Sequence, residues 1–160
     1  MPIRKFFMAV RSFRLGVVLL LIHPIIQFMA ALLALYVLYL GAQRFRSLHL
    51  HQKTAFKWKL HVILGEISLG AWLAGMMTGF VMVYIYWHGV LITGIHGKSA
   101  LVMLPFIIFG LLSGLYMDRK KKKRRLLPAI HALNNLFVLI LAFIQVENGW
   151  PFFRTLISAG

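Results

Sequence analysis

Seven histidines occur in this 160-residue chain, and four of them, His23, His61, His96 and His131, recur at separations of 38, 35 and 35 residues. Each stands near the start of a long apolar stretch. An imidazole in a hydrocarbon environment is costly unless it is bonded to a neighbouring helix or put to chemical use. Stretches that run alternately up and down bring their starts alternately to two faces. That groups His23 with His96 on one face and His61 with His131 on the other. Two imidazoles facing each other across a bundle core suit the two axial positions of an iron porphyrin, whereas helix-to-helix hydrogen bonding or interfacial anchoring would account for any one of them alone.

A macrocycle needs room as well as donors. One helical turn after His61, His96 and His131 stand Gly65, Ala100 and Asn135, and after His23 the equivalent residue is Gln27. The second stretch also carries Gly70, Gly75 and Gly79, and the third Gly110 and Gly114, a spacing that lets helices approach closely in lipid with or without a cofactor.

The elements that must hold these residues are transmembrane helices. With 61% hydrophobic and 13% charged residues, the chain has lipid as its natural solvent. Crossing a core about 30 Å thick takes roughly 20 apolar residues. Four stretches qualify: about 15–40, 58–86, 98–117 and 127–146. The fold class is therefore all-α, an integral membrane up-and-down four-helix bundle, with residues 1–160 forming one domain and no internal repeat expected beyond helix, loop, helix. The absence of cysteine excludes disulfides, thiolate metal clusters and covalently attached c-type haem.

A net charge of +15 would point to nucleic acid in a soluble protein, but here it lies in the connections, and no nucleic-acid partner is expected. The run Arg119 to Arg125 lacks interleaved aromatics and reads as a topology determinant beside anionic lipid. Assigning each Lys and Arg to its nearest loop or tail, the first and third connections hold 5 and 7, while the amino-terminal tail, middle loop and carboxyl tail hold 4, 1 and 1. The positive-inside rule then places the two basic connections in the cytoplasm and both termini outside, in what is expected to be the cell inner membrane.

The pattern resembles the core of the eukaryotic-type cytochrome b-561 family, transmembrane oxidoreductases with two b haems in four helices. The likeness covers about residues 23–150 and rests on His23-Pro24, on Lys59-Leu60-His61, on His96 and on His131. It implies two b haems per chain, with His23 and His96 as axial iron ligands of one, and His61 and His131 of the other. It further implies that Lys59 and Arg125 bind an anionic donor on the cytoplasmic side and that His88 with Lys98 contributes to an outer substrate site. The chain departs from that family in having room only for the core helices and in carrying Gln27 where the family has methionine. A quinol is then as suitable a donor as ascorbate, and other redox subunits or cytochromes are expected partners.

Glu66, the one acid well inside a stretch, could move a proton during quinol oxidation or, as a neutral carboxyl, bond to Ser68 or to a neighbouring helix. Asp118 is expected only to balance charge beside the basic run. Two alternatives belong to other classes: a cofactor-free anchor subunit of a larger complex, and a small proton-coupled transporter using Glu66 and the histidines. Sidedness is the expectation most directly checked. Reporter fusions after Gly41 and after Arg125 should behave as cytoplasmic, and the reverse result would invert the assignment of every face.

Overall fold

The structure is a computed structural model that describes residues 2–89 and 91–158, with side chains described over 20–154 except at Tyr86 and Val90. Four α-helices make up the described residues: α1 (Pro2–His49), α2 (Trp58–Trp87), α3 (Ile95–Arg119) and α4 (Leu126–Ser158). Each contains a segment long and apolar enough to cross a membrane: Leu20–His49, Trp58–Ile85, Ile95–Arg119 and Leu126–Arg154. The chain is thus a multi-pass, all-α membrane protein.

Helices outrun the apolar stretches that announce them. Hydropathy marks where lipid ends, and a helical backbone satisfies its own polar groups on either side of that boundary. So α1 continues past Leu40 through Gln43 and Arg46, and α4 continues past Val146 through Glu147 and Pro151. The third helix starts at Ile95, after Gly94 at φ 60° and ψ −123°. The helix thus begins three residues before the expected span, and His96 lies in its first turn. His23 is the exception to the expected placement at helix starts, because α1 extends back to Pro2; it lies instead near the start of the membrane segment.

Connections of 8, 7 and 6 residues, spanning 50–57, 88–94 and 120–125, force successive helices to run antiparallel. The bundle is a square. Helix α1 packs against α2 and α4, and α3 packs against the same two, while the diagonals α1–α3 and α2–α4 make no direct backbone approach. Its centre is filled by Ala30 and Ala31, Leu69, Trp72 and Met76, Met103 and Ile107, and Val138, Leu139 and Ala142. Large residues such as Leu133 (68% exposed) and Met77 (61%) point outward, as they can where the surroundings are as apolar as leucine.

In lipid such a core is held by dispersion and interhelical hydrogen bonds rather than by escape from water. Ser68 Oγ donates to the carbonyl of Ala30 at 3.0 Å, joining α2 to α1. Asn134 Nδ2 donates to the carbonyl of Phe106 at 2.9 Å, joining α4 to α3. Ser68 is thereby committed to α1 and is not the partner of Glu66. Ile107 and Val138 have no exposed surface, so truncating either leaves a void that close-packed neighbours fill only in part. Ile107→Ala should cost about 2–5 kcal/mol, the range for large-to-small core changes, in denaturant titrations from mixed micelles, whereas Leu133→Ala on the lipid face should be nearly silent. Equal costs at the two positions would contradict this packing.

Candidate functional site

A repeat not anticipated from the sequence organises the bundle. Each of the four histidines is followed, 18 residues later in its own helix, by a glycine: His23 by Gly41, His61 by Gly79, His96 by Gly114 and His131 by Gly149. At 3.6 residues per turn, 18 residues are five turns, so histidine and glycine share one face of the helix at opposite ends. In antiparallel neighbours the histidine of one helix then meets the glycine of the other. A methyl group on Gly79 would stand 2.8 Å from Cε1 of His23, one on Gly149 3.1 Å from Cε1 of His96, one on Gly41 3.2 Å from that of His61, and one on Gly114 3.3 Å from that of His131. Every imidazole is seated where the facing helix has no side chain.

The same register supplies the acceptor. Nδ1 of His23 lies 2.6 Å from the carbonyl of Gly75, four residues before Gly79. Nδ1 of His61 lies 3.1 Å from the carbonyl of Val37, four before Gly41. At His131 a serine is interposed: Nδ1 is 2.8 Å from Ser113 Oγ, and Ser113 Oγ donates at 3.1 Å to the carbonyl of Gly110, four before Gly114. The fourth case is incomplete. Gln145, four before Gly149, presents its backbone to His96, yet Nδ1 of His96 is buried without a hydrogen bond of good geometry. This ring is therefore seated but not tied. A carbonyl can only accept, so His23 and His61 carry their proton on Nδ1 and leave Nε2 as the nitrogen with a free lone pair. Metal-ligating histidines are oriented in this way.

The square arrangement sorts these groups into two levels. One holds His23 and His96 on the diagonal α1–α3, with Gly79 and Gly149 on the other diagonal. The other holds His61 and His131, with Gly41 and Gly114 between them. Along a helix the levels are about 27 Å apart, from 18 residues at about 1.5 Å each. The rings of His23 and His96 have centroids 6.3 Å apart and planes at 85°. Two imidazoles sharing one metal on a common axis stand about 6 Å apart, given metal–nitrogen bonds of about 2 Å and the ring radius. The first pair matches that spacing. Among the described residues no three His, Cys, Asp or Glu side chains converge, so each level offers two donors. That is fewer than the three or four protein ligands of a zinc site and as many as a porphyrin iron accepts axially.

Side-chain amides one turn after two of the histidines add a second regularity. Gln27, one turn after His23, packs on Gly75, and Asn135, one turn after His131, packs on Gly110. Asn135 does more than leave room, as a small residue one turn from a ligand would. Its Nδ2 donates to the carbonyl of His131 at 2.8 Å and also lies 3.2 Å from His131 Nε2. A ligand at that nitrogen would displace one of these two contacts and leave the other.

The remaining candidates are not gathered. Lys59 and Arg125 are exposed, and Lys59 Nζ lies 5.9 Å from the ring centre of Trp58, over which Lys121 Nζ stands at 3.8 Å. His88 is exposed and ends α2 in the left-handed region at φ 51°; Lys98 is exposed on α3, and no hydrogen bond joins them. Glu66 is half-buried and, among the described residues, has no hydrogen bond or ion pair. Asp118 forms no ion pair with the basic run, and its Oδ1 is buried without a partner. No family model, no curated protein and no solved structure matches the chain.

Sequence reasoning assigned Gly79 and Gly114 only to close helix approach and did not single out Gly41 and Gly149; the five-turn spacing from each histidine is the signal that would have found their role. Gly79→Ala should therefore destabilise the fold, because its methyl group meets the His23 ring. Gly70→Ala, with open space at its Cβ, should be neutral or stabilising by up to about 1 kcal/mol. Unfolding in mixed micelles reads both, and a similar response from the two would refute the seating of the ring.

Proposed function

We propose that the chain is a transmembrane electron carrier that holds two b haems, one between His23 and His96 and one between His61 and His131. The observation that carries this reading is the repeated seat: each of the four histidines lies against a glycine of the facing helix, and in His23 and His61 Nδ1 meets the carbonyl one turn before that glycine, in His131 through Ser113. Such a seat fixes the tautomer and leaves Nε2 for a metal. An iron porphyrin with imidazole on both sides passes single electrons and has no vacant position for oxygen.

The protein's own groups do the rest. The diagonal glycines let each imidazole lie against the non-ligating helix of its level, and a planar ring would be held between His23 and His96 or between His61 and His131. The core residues Trp72, Met76, Met103 and Ile107 keep the region between the levels dry. Lys59 and Arg125 place positive charge near the start of α2 and α4, favouring an anionic or quinol-type donor on that side and raising the potential of a nearby metal. Glu66, free of other partners, is available to take a proton from a quinol. His88 and Lys98 stand toward the opposite face, where electrons would leave or enter.

A second reading, a cofactor-free membrane anchor, is favoured by one observation: both ring nitrogens of His131 already have partners, in Ser113 and Asn135. Purified protein separates the two. A pyridine haemochrome assay should return two haems per polypeptide, and none would leave the anchor. His23→Ala and His96→Ala should each remove the same haem, and His61→Ala and His131→Ala the other, distinguished by their alpha bands in reduced spectra. Losses that cross these pairs would defeat the assignment.

A further inference from the structure

Beside the His61 level the connection between α1 and α2 folds back onto α1 and borders a half-open cavity of about 390 Å³, lined among others by Tyr36, Tyr39, Gln43, Lys53, Thr54 and Lys57. Local bonds build it. Thr54 Oγ1 donates to the carbonyl of Gln43 at 2.8 Å, pinning the loop to the helix. Upstream, Arg46 Nε donates to Gln52 Oε1 at 2.7 Å, and the amides of Leu50 and Gln52 both donate to the carbonyl of Arg46. The chain turns at His51, whose φ is 52°.

The lining is graded along the membrane normal. Tyr36 and Tyr39 stack with ring centroids 6.2 Å apart and planes at 19°, and they are 44% and 55% exposed within the membrane segment of α1. Lys53 and Lys57 lie in the connection beyond the helix, with Gln43 and Thr54 between. From Tyr36 to Gln43 the helix climbs about 10 Å at about 1.5 Å per residue. None of the three acidic residues of the chain lines the cavity, so its charge is uncompensated. An apolar aromatic wall facing lipid, topped by two cations with hydroxyl and amide groups, complements a molecule with an acyl chain below and a phosphate above.

We propose that this cavity binds the phosphate headgroup of an anionic membrane lipid, with Lys53 and Lys57 at the phosphate and Tyr36 and Tyr39 against the first carbons of the chain. The site goes beyond the haem reading and does not depend on it. A cation at an anionic lipid surface contributes about 1 kcal/mol, equivalent to about a fivefold change in affinity for each lysine.

The test uses the full chain in a neutral detergent, titrated with phosphatidylglycerol, phosphatidylcholine or inorganic phosphate, and followed by native mass spectrometry and thermal unfolding. Phosphatidylglycerol should bind and raise the unfolding temperature more than phosphatidylcholine does. The double variant Lys53→Ala, Lys57→Ala should weaken that binding about 25-fold with its helical content unchanged, and Lys120→Ala, Lys122→Ala, outside the cavity, should change it less than twofold. Equal losses in the two double variants would reduce the effect to general surface attraction and overturn the site. Protection by inorganic phosphate alone would overturn the lipid as occupant, as would the absence of any preference over phosphatidylcholine. Haem content measured on the same samples keeps the two proposals apart, since a protein without haem that still discriminates the lipids refutes only the electron carrier.

Discussion

The bundle depends on the requirement that an imidazole within a membrane segment find a partner for its N–H. No water is available at that depth, and a backbone carbonyl already used in its own helix is the commonest acceptor. Reaching it requires the ring to come close to the neighbouring backbone, which any Cβ at the contact point would prevent. Glycine opposite histidine resolves the conflict. Because the helices are antiparallel, such a seat stands at each end of each pair: it ties α1 to α2 directly at both ends and α3 to α4 through Ser113 at the His131 end, while at the other end His96 is seated on Gly149 without the bond.

Lipid surroundings make those ties more important than they would be in water. The exposed leucines, isoleucines and phenylalanines of the outer faces gain nothing by moving inward, so side-chain fit and polar contacts decide which faces meet. Ser68 to Ala30 and Asn134 to Phe106 lie between the two histidine levels and act in the same helix pairs. The core of Ile107, Val138 and Trp72 fills the middle, where no imidazole reaches. Stability and the candidate site are therefore built from one register, and a change that shifts it would disturb both.

Much of the architecture was legible in the sequence. Four apolar stretches and short polar connections determine a four-helix bundle, and the even recurrence of His23, His61, His96 and His131 already implies two and two by alternation of direction. What was not legible follows from physics that hydropathy does not report. Helix ends at His49 and Ser158 lie beyond the apolar stretches because backbone hydrogen bonding continues into water. The room beside each imidazole was sought one turn along its own helix, at Gly65, Ala100 and Asn135, but it is made by a residue of a different helix, which shows in the chain only as a five-turn echo. Asn135 itself bonds to the histidine, a contact set by its rotamer. The aromatic cavity at Tyr36 and Lys57 was hidden because it depends on how the loop after His49 turns back.

The diagonal pairing also bears on how such a protein comes to be made. His23 and His61 belong to the first hairpin, His96 and His131 to the second, and each level draws one imidazole from each hairpin. While only α1 and α2 have entered the bilayer, every level is half furnished, with one histidine seated on its own hairpin's glycine. Anything that must be gripped from both sides can be received only after α4 has inserted and the hairpins have closed on each other. Topology thus sets an order for the histidines themselves: each diagonal pair is complete only in the closed square.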